Sequence, residues 1–209
     1  YNRQIIILAT PAESYRKILL AMAPSLEKET LIVSLSNAIP ISQIENYTQS
    51  PVVKVIPTIA HEVHQGVSVI VAGERAGPQH IKIITELMQT ISKPVIVSEA
   101  ECRAISNIAG SGLAIIAEFA RLCVIANEKS ALTFERKSLE AMIVETLRAV
   151  VDLHQAGLSL EEIVLKTAVQ GGITESALSI LRGDGANVVN SMIQETFRRQ
   201  ALLQKQTVV

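Results

Sequence analysis

The sequence predicts two regions of different fold class, an α/β region in the first half of the chain and an all-α region in the second. In the first half, short apolar runs of strand length alternate with amphipathic segments of helix length. This alternation is typical of a mostly parallel sheet covered by helices. After residue 98 the strand patterns stop, and helical periods continue to the end of the sequence. We therefore predict a sheet domain over residues 1–98 and a helical domain over residues 99–209.

Five apolar runs predict the strands of the sheet. They cover residues 4–9, 31–36, 52–57, 66–72 and 94–97. The first run is unbroken, which indicates a strand that is buried on both faces, and the second is also predicted as a buried strand. The intervening helices are predicted at residues 12–26, 41–47 and 78–91. Pro11 suits the entry to the first of them, because a proline lacks the N–H that would be unpaired there.

Five helices are predicted in the second half. They cover residues 99–127, 133–155, 159–170, 174–181 and 186–204. Ser159 and Glu162 form a capping box at the start of the third. The second helix has only a narrow polar stripe, and a helix that is apolar over most of its circumference must be buried on several sides. A small helical domain has few interior positions, so we infer that a second subunit supplies part of this burial.

Composition argues against several classes of partner. Acidic and basic residues nearly balance at a net charge of −1, and aromatic residues make up 3% with no Trp. We expect no nucleic-acid partner, because neither a basic surface nor a base-stacking platform is available. The uncharged stretch at residues 104–117 is shorter than a membrane span, so we expect a buried helix and no membrane. Cys102 and Cys123 predict reduced core thiols and a cytoplasmic protein.

A glycine-rich phosphate loop is absent from these 209 residues. A dinucleotide fold needs Gly-x-Gly-x-x-Gly after its first strand, because only glycine lets the backbone approach the pyrophosphate. Gly110 and Gly112 lie inside a helical pattern, where close helix packing is the ordinary explanation. If the whole protein binds a nucleotide, its phosphate site precedes Tyr1. We expect residues 1–209 alone to bind neither NAD nor NADP.

Polar residues follow the first two predicted strands. They are Thr10 after the first strand and Ser34, Ser36 and Asn37 at the end of the second. Ligands of open α/β sheets bind at the carboxyl ends of the strands, so these residues are candidate cofactor contacts. Ordinary turn chemistry is the alternative, because Ser and Asn are good turn formers.

Two nearby histidines do not have the spacing of a metal site. His61 and His64 are three residues apart, whereas a zinc-binding helix carries its histidines four apart with a glutamate after the first. We therefore predict loop or surface histidines and no metal.

Two consecutive glycines end the third predicted helix and precede the fourth. Gln170, Gly171, Gly172 and Ile173 lead to Thr174 at the start of a new helix, where backbone N–H groups are unpaired. Threonine is a good N-cap, so capping is one explanation of Thr174. The other is that its hydroxyl and the neighbouring amides face a substrate.

Three segments, in order, resemble the pyrroline-5-carboxylate reductase family. Residues 53–69 resemble the family stretch Val-x-Arg-x-Met-Pro-Asn-Thr-Pro, which is followed by a glycine before the next strand. Residues 109–114 resemble its Ser-Gly-Ser-Gly-Pro-Ala, and residues 171–178 resemble its Pro-Gly-Gly-Thr-Thr signature. The resemblance covers essentially the whole chain and extends to divergent members, including the competence-associated reductase-like proteins.

The resemblance implies an NADP- or NAD-dependent oxidoreductase that reduces a cyclic imine to proline in proline biosynthesis. It also implies a partial Rossmann domain followed by helices that interlock into a homodimer or a larger oligomer. Thr174 would be the catalytic residue, hydrogen-bonded to the imine nitrogen. The residues implied to bind substrate are Val169, Gln170, Gly171 and Gly172. The residues implied to contact the cofactor are Thr10, Pro11, Ser36, Asn37, Pro57 and Thr58.

Several positions depart from the family pattern. Ala168, Val169 and Gln170 stand where the family has Ser-Ser-Pro, whose serines help to bind the substrate carboxylate. Thr58 stands in place of the family's Asn, and Leu113 in place of a Pro. Three hypotheses stay open: a reductase of this family, a non-enzymatic dimeric binding or regulatory protein, and a reductase of a less polar imine or carbonyl.

Overall fold

The structure is a computed structural model that describes residues 4–131 and 133–206. Contacts group the chain into two compact units. One runs to Leu113 and resumes at Gln194, and the other is Ala114–Ile193. The last described strand ends at Val97, next to the domain boundary expected after residue 98, and that boundary stays a prediction.

Five strands in the described residues form one sheet, ordered along the chain from edge to edge. They are β1 (Ile5–Leu8), β2 (Leu31–Ser34), β3 (Val52–Ile56), β4 (Val67–Ala72) and β5 (Lys93–Val97). The pairs β1–β2, β2–β3 and β4–β5 are parallel, so the prediction of a mostly parallel sheet is confirmed. β3 and β4 are antiparallel. Only residues 57–66 join them, and a parallel crossover needs about a dozen residues or more.

Helices cover both faces of the sheet. They are α1 (Tyr15–Met22), α2 (Ile41–Glu45) and α3 (Pro78–Gln89). Tyr15 and Leu19 of α1 belong to one buried apolar cluster, while Ile84 and Met88 of α3 belong to another. Because consecutive strand residues point to opposite faces, Val52 joins the first cluster and its neighbour Val53 joins the second.

The first predicted helix is shorter than expected. Residues 12–26 were predicted as one helix, but only the α1 segment is α-helical, and tighter 3-10 turns flank it at Ala12–Ser14 and Ala23–Ser25. Pro24 accounts for the end, because its nitrogen carries no hydrogen to continue the α-helical bonding.

Only helices follow the sheet in the described residues. They are α4 (Cys102–Ser106), α5 (Gly112–Glu128), α6 (Arg136–Gln155), α7 (Leu160–Thr167), α8 (Ile173–Ile180) and α9 (Ala186–Gln206). The predicted capping box is confirmed, since Glu162 N–H donates to Ser159 Oγ at 3.1 Å and Ser159 N–H donates to Glu162 Oε2 at 2.7 Å.

Two π-helical turns alter the predicted helix boundaries. The predicted helix 99–127 is interrupted at Asn107–Ser111, which joins α4 to α5. The predicted break at residues 182–185 is wrong, because a second π turn, Leu181–Gly185, carries the backbone from α8 into α9. A π turn adds a residue to the helical repeat without releasing the chain, so glycines there need not end a helix.

A single chain leaves much apolar helix surface uncovered. The expectation that residues 104–117 are buried is wrong for one chain, because Ile108, Leu113 and Ile116 are exposed. No residue of α6 is buried. By length and composition, Cys102–Glu128 is also apolar enough to span a membrane, and 17% of its most apolar window is buried. Exposed apolar surface of this extent indicates an interaction surface.

Candidate functional site

The candidate cofactor residues lie at one edge of the sheet. Because β1, β2 and β3 are parallel, the segments that follow Leu8, Ser34 and Ile56 all leave from the same edge. These segments carry all six predicted cofactor residues, which are Thr10, Pro11, Ser36, Asn37, Pro57 and Thr58. Thr10, Pro11 and Pro57 are exposed, and the other three are half-buried. The structure therefore brings these residues to one edge, while their contact with a cofactor stays a prediction.

Ser34 is not available to a ligand, which corrects its place among the candidate cofactor contacts. Its side chain is fully buried, and its hydroxyl lies 3.2 Å from the Tyr15 hydroxyl. Tyr15 in turn donates to the Leu8 carbonyl at 2.8 Å, and Ser36 N–H donates to Ser34 Oγ at 3.3 Å. Ser34 therefore ties β1, α1 and β2 together.

Thr58 caps the turn that follows β3. Its hydroxyl accepts from Ala60 N–H at 3.2 Å, and its own N–H donates to His61 Nδ1 at 3.5 Å. The other ring nitrogen of His61 lies 3.3 Å from Ser68 Oγ. This explains one histidine of the pair as part of a capped turn.

His64 has a backbone role as well. It adopts a left-handed conformation with φ of 55°, at the end of the turn Ile59–Val63, and its Nδ1 lies 3.2 Å from the Thr90 carbonyl. Within residues 4–131 and 133–206, no group of three or more His, Cys, Asp or Glu side chains is arranged to hold a metal.

A buried lysine lies in β3, a few residues before the strand end that carries Pro57 and Thr58. The sequence patterns did not single it out. Lys54 is in the middle of β3 and is 1% exposed, and its ammonium pairs with the Glu99 carboxylate. The second Glu99 oxygen accepts from Ile41 N–H at 3.1 Å. The signal was present in the sequence, since Lys54 is the one charge in an otherwise apolar strand, and a buried ammonium needs a counter-ion.

Cys102 lies next to this ion pair as a buried thiol. Its Sγ is 3.6 Å from Asn37 Oδ1 and 3.9 Å from Ser106 Oγ. Burial is the main cause that raises the pKa of the Cys102 thiol, although the nearby Lys54 ammonium opposes the shift. Cys102 is therefore a buried thiol in contact with Asn37. Cys123 is only half-buried, so the predicted core position is wrong for it, and the reduced state of both stays a prediction.

The candidate substrate residues form the turn between α7 and α8. Val169, Gln170 and Gly171 are exposed, and Gly171 has a φ of +73° that favours glycine. A side chain on Gly172 would meet the Val169 carbonyl oxygen at 2.8 Å. Both glycines are therefore required by the backbone path.

Thr174 is not the N-cap of α8, so the capping explanation is wrong. Gly172 occupies the cap position, and α8 begins at Ile173. Thr174 is consequently the second residue of the helix, with an exposed side chain. No side-chain hydroxyl caps this helix. The N–H of Gly171, just before the cap residue, donates to the Glu175 carboxylate.

A cavity of about 410 Å³ adjoins Thr174 within the unit Ala114–Ile193. Its lining residues are Phe119, Thr174, Ala177, Leu178, Ile180, Leu181 and Gly185. Of these, Thr174 carries the one polar side chain. Thr174 is therefore the one residue with a hydroxyl in the lining of an otherwise apolar space.

A model of the pyrroline-5-carboxylate reductase dimerisation domain matches residues 99–203, which is half of the chain. The chain belongs to the pyrroline-5-carboxylate reductase family. The match begins at Glu99, the residue that pairs with Lys54, and it includes the turn before Thr174. It also accounts for the uncovered apolar helices, since a dimerisation domain buries such surface against a second copy.

Relatives of known name agree with this family. ComE operon protein 4 of Bacillus subtilis is 28% identical over 199 residues, which are 95% of this chain and 69% of that protein. Pyrroline-5-carboxylate reductase 3 of Bacillus subtilis is 25% identical over 204 residues, which are 97% of this chain and 75% of that protein. Both alignments include the sheet as well as the helices.

Solved structures of the family share the fold. A pyrroline-5-carboxylate reductase from Coxiella burnetii has a TM-score of 0.85 at 20% identity, over 97% of this chain and 76% of that one. A pyrroline carboxylate reductase from Plasmodium falciparum, solved with NADP bound, has a TM-score of 0.83 at 17% identity, over 99% and 78%. The predicted Rossmann-type sheet followed by a helical dimerisation domain is thus confirmed as a fold.

Proposed function

We propose that the whole protein is an NADP- or NAD-dependent oxidoreductase that reduces the C=N bond of a cyclic imine. The observation that carries this proposal is the placement of Thr174. Its exposed side chain lines the apolar cavity at the start of α8, behind the paired glycines that resemble the family signature. In the described part of the chain, no hydrogen bond uses this hydroxyl, so it is free for a substrate nitrogen.

The sheet edge is the part of this chain that fits a nicotinamide cofactor. Thr10, Pro11 and Pro57 are exposed at the carboxyl ends of parallel strands, where such folds bind dinucleotides. When bound, the cofactor supplies the hydride. The pyrophosphate needs a glycine-rich loop that residues 1–209 do not contain. Cofactor binding is therefore a proposal for the whole protein, and residues 1–209 alone are expected to bind neither NADP nor NAD.

Thr174 would orient the substrate rather than supply a strong acid. A threonine hydroxyl is a poor proton donor, whereas a protonated iminium already accepts hydride well. The rate gain from such a residue comes from holding the reacting carbon within about 3–3.5 Å of the donor. Phe119 and Leu178 line the cavity beside Thr174, and Phe119 is exposed in a single chain. A second copy that covers them would exclude water and so strengthen the one hydrogen bond.

We further propose a cytoplasmic homodimer built through the helices. The support is the match to the dimerisation domain together with the exposed apolar residues of α5 and α6, among them Phe119, Leu122, Met142 and Val144. A second copy covers these residues with the same surface, as expected for a symmetric dimer.

A non-enzymatic binding or regulatory protein is the second candidate function. Ala168, Val169 and Gln170 offer no hydroxyl where the family's serines would bind a carboxylate, and Val169 is exposed.

An apolar cavity with one hydroxyl also suits a less polar imine or carbonyl. The two features favour a substrate other than pyrroline-5-carboxylate if the protein is an enzyme.

The deciding experiment is a steady-state assay of the full-length protein, following NADPH and NADH oxidation with a panel of cyclic imines. The panel includes pyrroline-5-carboxylate, pyrroline-2-carboxylate and unsubstituted pyrroline. We expect turnover with at least one imine and its loss in Thr174→Val. If no imine is turned over while NADPH still binds, the reductase proposal fails and the binding-protein function is favoured.

A further inference from the structure

A chain of hydrogen bonds runs from the turn after β3 to the end of α3. His61 Nε2 lies 3.3 Å from Ser68 Oγ, and Ser68 Oγ lies 2.6 Å from Ser92 Oγ. Ser92 Oγ in turn donates to the Met88 carbonyl at 2.9 Å. Ser68 is fully buried in β4, where a hydroxyl is costly unless it is hydrogen-bonded. The His61 ring is therefore anchored to the interior of the sheet unit.

The donors and acceptors of this chain agree with a single tautomer of His61. The Thr58 N–H can only donate, so His61 Nδ1, which lies 3.5 Å away, accepts and carries no proton. A neutral imidazole then has its proton on Nε2, which donates to Ser68 Oγ. Since the Ser92 proton is used on the Met88 carbonyl, the Ser68 proton goes to Ser92. Each donor has its own acceptor, and the ring is held at both nitrogens.

The turn is packed closely around Thr58, the residue that His61 holds. Gly66 ends the turn with a φ of +83°, and a Cβ there would lie 2.9 Å from Ala60 Cβ and 3.3 Å from Thr58 Oγ1. The Thr58 hydroxyl also accepts from Ala60 N–H at 3.2 Å. Contacts this short leave little free space, so a change at the His61 ring should shift the backbone of Thr58.

This network lies at the edge of the sheet that carries the candidate cofactor residues. β4 is antiparallel to β3 and begins beside the end of that strand. β5 is parallel to β4 and begins at Lys93, directly after Ser92. Pro57 and Thr58, which follow β3, are thus attached through His61 to the start of β4 and to the residue before β5.

We propose that His61 is a positioning residue for the nicotinamide cofactor. It sets the backbone of Thr58 through Nδ1, while Ser68 and Ser92 fix the orientation of its ring. This role rests on the proposed binding of the cofactor at the sheet edge, and it adds a residue that acts through the Thr58 N–H.

The test is the affinity of the full-length protein for NADPH and NADH, measured by titration of the nucleotide fluorescence. His61→Ala should weaken binding roughly 3- to 10-fold, the factor expected of one hydrogen bond. His61→Asn should stay within about twofold of wild type. The asparagine amide oxygen is bonded to Cγ, as Nδ1 is in histidine, so it can accept from the Thr58 N–H.

His80→Ala is the matched control. His80 Nδ1 accepts from Gly77 N–H at 3.0 Å where α3 begins, and this site follows the end of β4, at the opposite edge of the sheet. His80→Ala loses the same kind of bond, so it should lower the melting temperature but leave nucleotide affinity unchanged. Equal weakening of nucleotide binding in His61→Ala and His80→Ala, or equal affinity in wild type and His61→Ala, would overturn the positioning role.

Nuclear magnetic resonance of the full-length protein without nucleotide checks the hydrogen-bond chain itself. We expect the His61 ring to be protonated at Nε2 and not at Nδ1, and the Thr58 amide to exchange faster with solvent in His61→Ala than in wild type. A proton on Nδ1, or equal exchange in the two proteins, would overturn the proposal. If wild type binds neither NADPH nor NADH, the proposed function itself fails, and the positioning role fails with it.

Discussion

The ammonium of Lys54 and the carboxylate of Glu99 form an ion pair between the middle of β3 and the first residue of the dimerisation-domain match. Lys54 is 1% exposed, whereas the Glu99 side chain is 42% exposed. The pair therefore has a desolvated cation and a partly solvated anion. Glu99 also holds Ile41 N–H, so it links α2, β3 and the start of the helices.

Removing the carboxylate should destabilise the protein more than its partial exposure suggests. Glu99→Gln leaves the Lys54 ammonium buried and unpaired, which we expect to cost about 2–3 kcal/mol of unfolding free energy. Urea unfolding measures this loss. The matched control is Glu86→Gln, which removes an exposed pair with Lys82 and should cost less than about 0.5 kcal/mol.

A double variant provides a stricter check. If the loss in Glu99→Gln comes from the unpaired ammonium, then adding Lys54→Met should restore much of the stability. Equal losses in the single and double variants would show that the Ile41 contact, and not the ion pair, is what Glu99 contributes.

The Tyr15 hydroxyl should give the protein a pH-dependent stability at alkaline pH. Burial is the main cause that raises the pKa of Tyr15 above 10.0. The folded state then holds the phenol proton more tightly than the unfolded chain does. The contribution of the protonated Tyr15 phenol to the free energy of unfolding is complete below a pH of about 10. It is lost as the pH rises through the pKa of Tyr15 in the folded state.

Tyr15→Phe tests this directly. The loss of the hydrogen bond to the Leu8 carbonyl should cost about 1–2 kcal/mol at pH 8. The gap between wild type and variant should narrow above pH of about 10, as measured by urea unfolding at each pH. Tyr47→Phe, which leaves the Tyr15 hydroxyl in place, is the control. Parallel pH profiles for wild type and Tyr15→Phe would refute the assignment.

The strands were predictable because each is a short, mostly apolar run whose pattern is complete within a few residues. The ion pair of Lys54 was not, since Glu99 lies 45 residues further along the chain and no local pattern contains both. The antiparallel pairing of β3 and β4 is explained by the short link between them. The length of this link is visible in the sequence, but the apolar pattern of a strand does not show in which direction the strand runs.

The candidate site was predictable in its location and less so in its roles. Strand ends follow from the strands, so Thr10 and Asn37 are predicted at one edge of the sheet, whereas Pro57 is indicated only by the resemblance to the family. Burial by a distant side chain is not visible locally, and Ser34 therefore proved to be a structural partner of Tyr15. The choice between Gly172 and Thr174 as N-cap depends on a backbone angle, which the residue types alone do not decide.

Dimer formation should depend on one exposed face of α6. Val144 and Val151 are seven residues apart, about two helical turns, and each is more than half exposed in a single chain. Ile143 and Leu147 are half-buried within the chain, so they are poorer probes. Val144→Asp with Val151→Asp should convert the dimer to a monomer or an aggregate, because charges cannot be buried in an apolar interface.

Sedimentation velocity measures this change, and circular dichroism reports whether the helices persist. Arg16→Asp reverses a charge at an exposed position of α1, outside the helical domain, and should leave the dimer intact. A wild-type chain that sediments as a well-folded monomer would contradict the proposed homodimer, as would a double variant that remains dimeric.

Thr174 should matter for turnover and little for stability. Because Gly172 is the N-cap, Thr174→Val removes no cap, and we expect an unfolding free energy within about 0.5 kcal/mol of wild type. If the hydroxyl holds the imine nitrogen in the transition state, turnover of the full-length protein should fall on the order of 10²- to 10³-fold. Ser176→Ala is the matched control, since the Ser176 hydroxyl already donates to the Gly172 carbonyl and its loss should leave turnover unchanged.

Val169→Ser tests which substrate this turn has been shaped for. A hydroxyl at this exposed position restores one of the donors that the family places before the paired glycines. If the rest of the carboxylate site is intact, Val169→Ser should raise kcat/KM for pyrroline-5-carboxylate relative to unsubstituted pyrroline. If the ratio is unchanged while Thr174→Val abolishes both activities, the protein is a reductase whose substrate lacks a carboxylate at that position. If wild type, Val169→Ser and Thr174→Val are equally inactive with every imine, Thr174 has no catalytic role in imine reduction. The dimeric binding protein is then the favoured function.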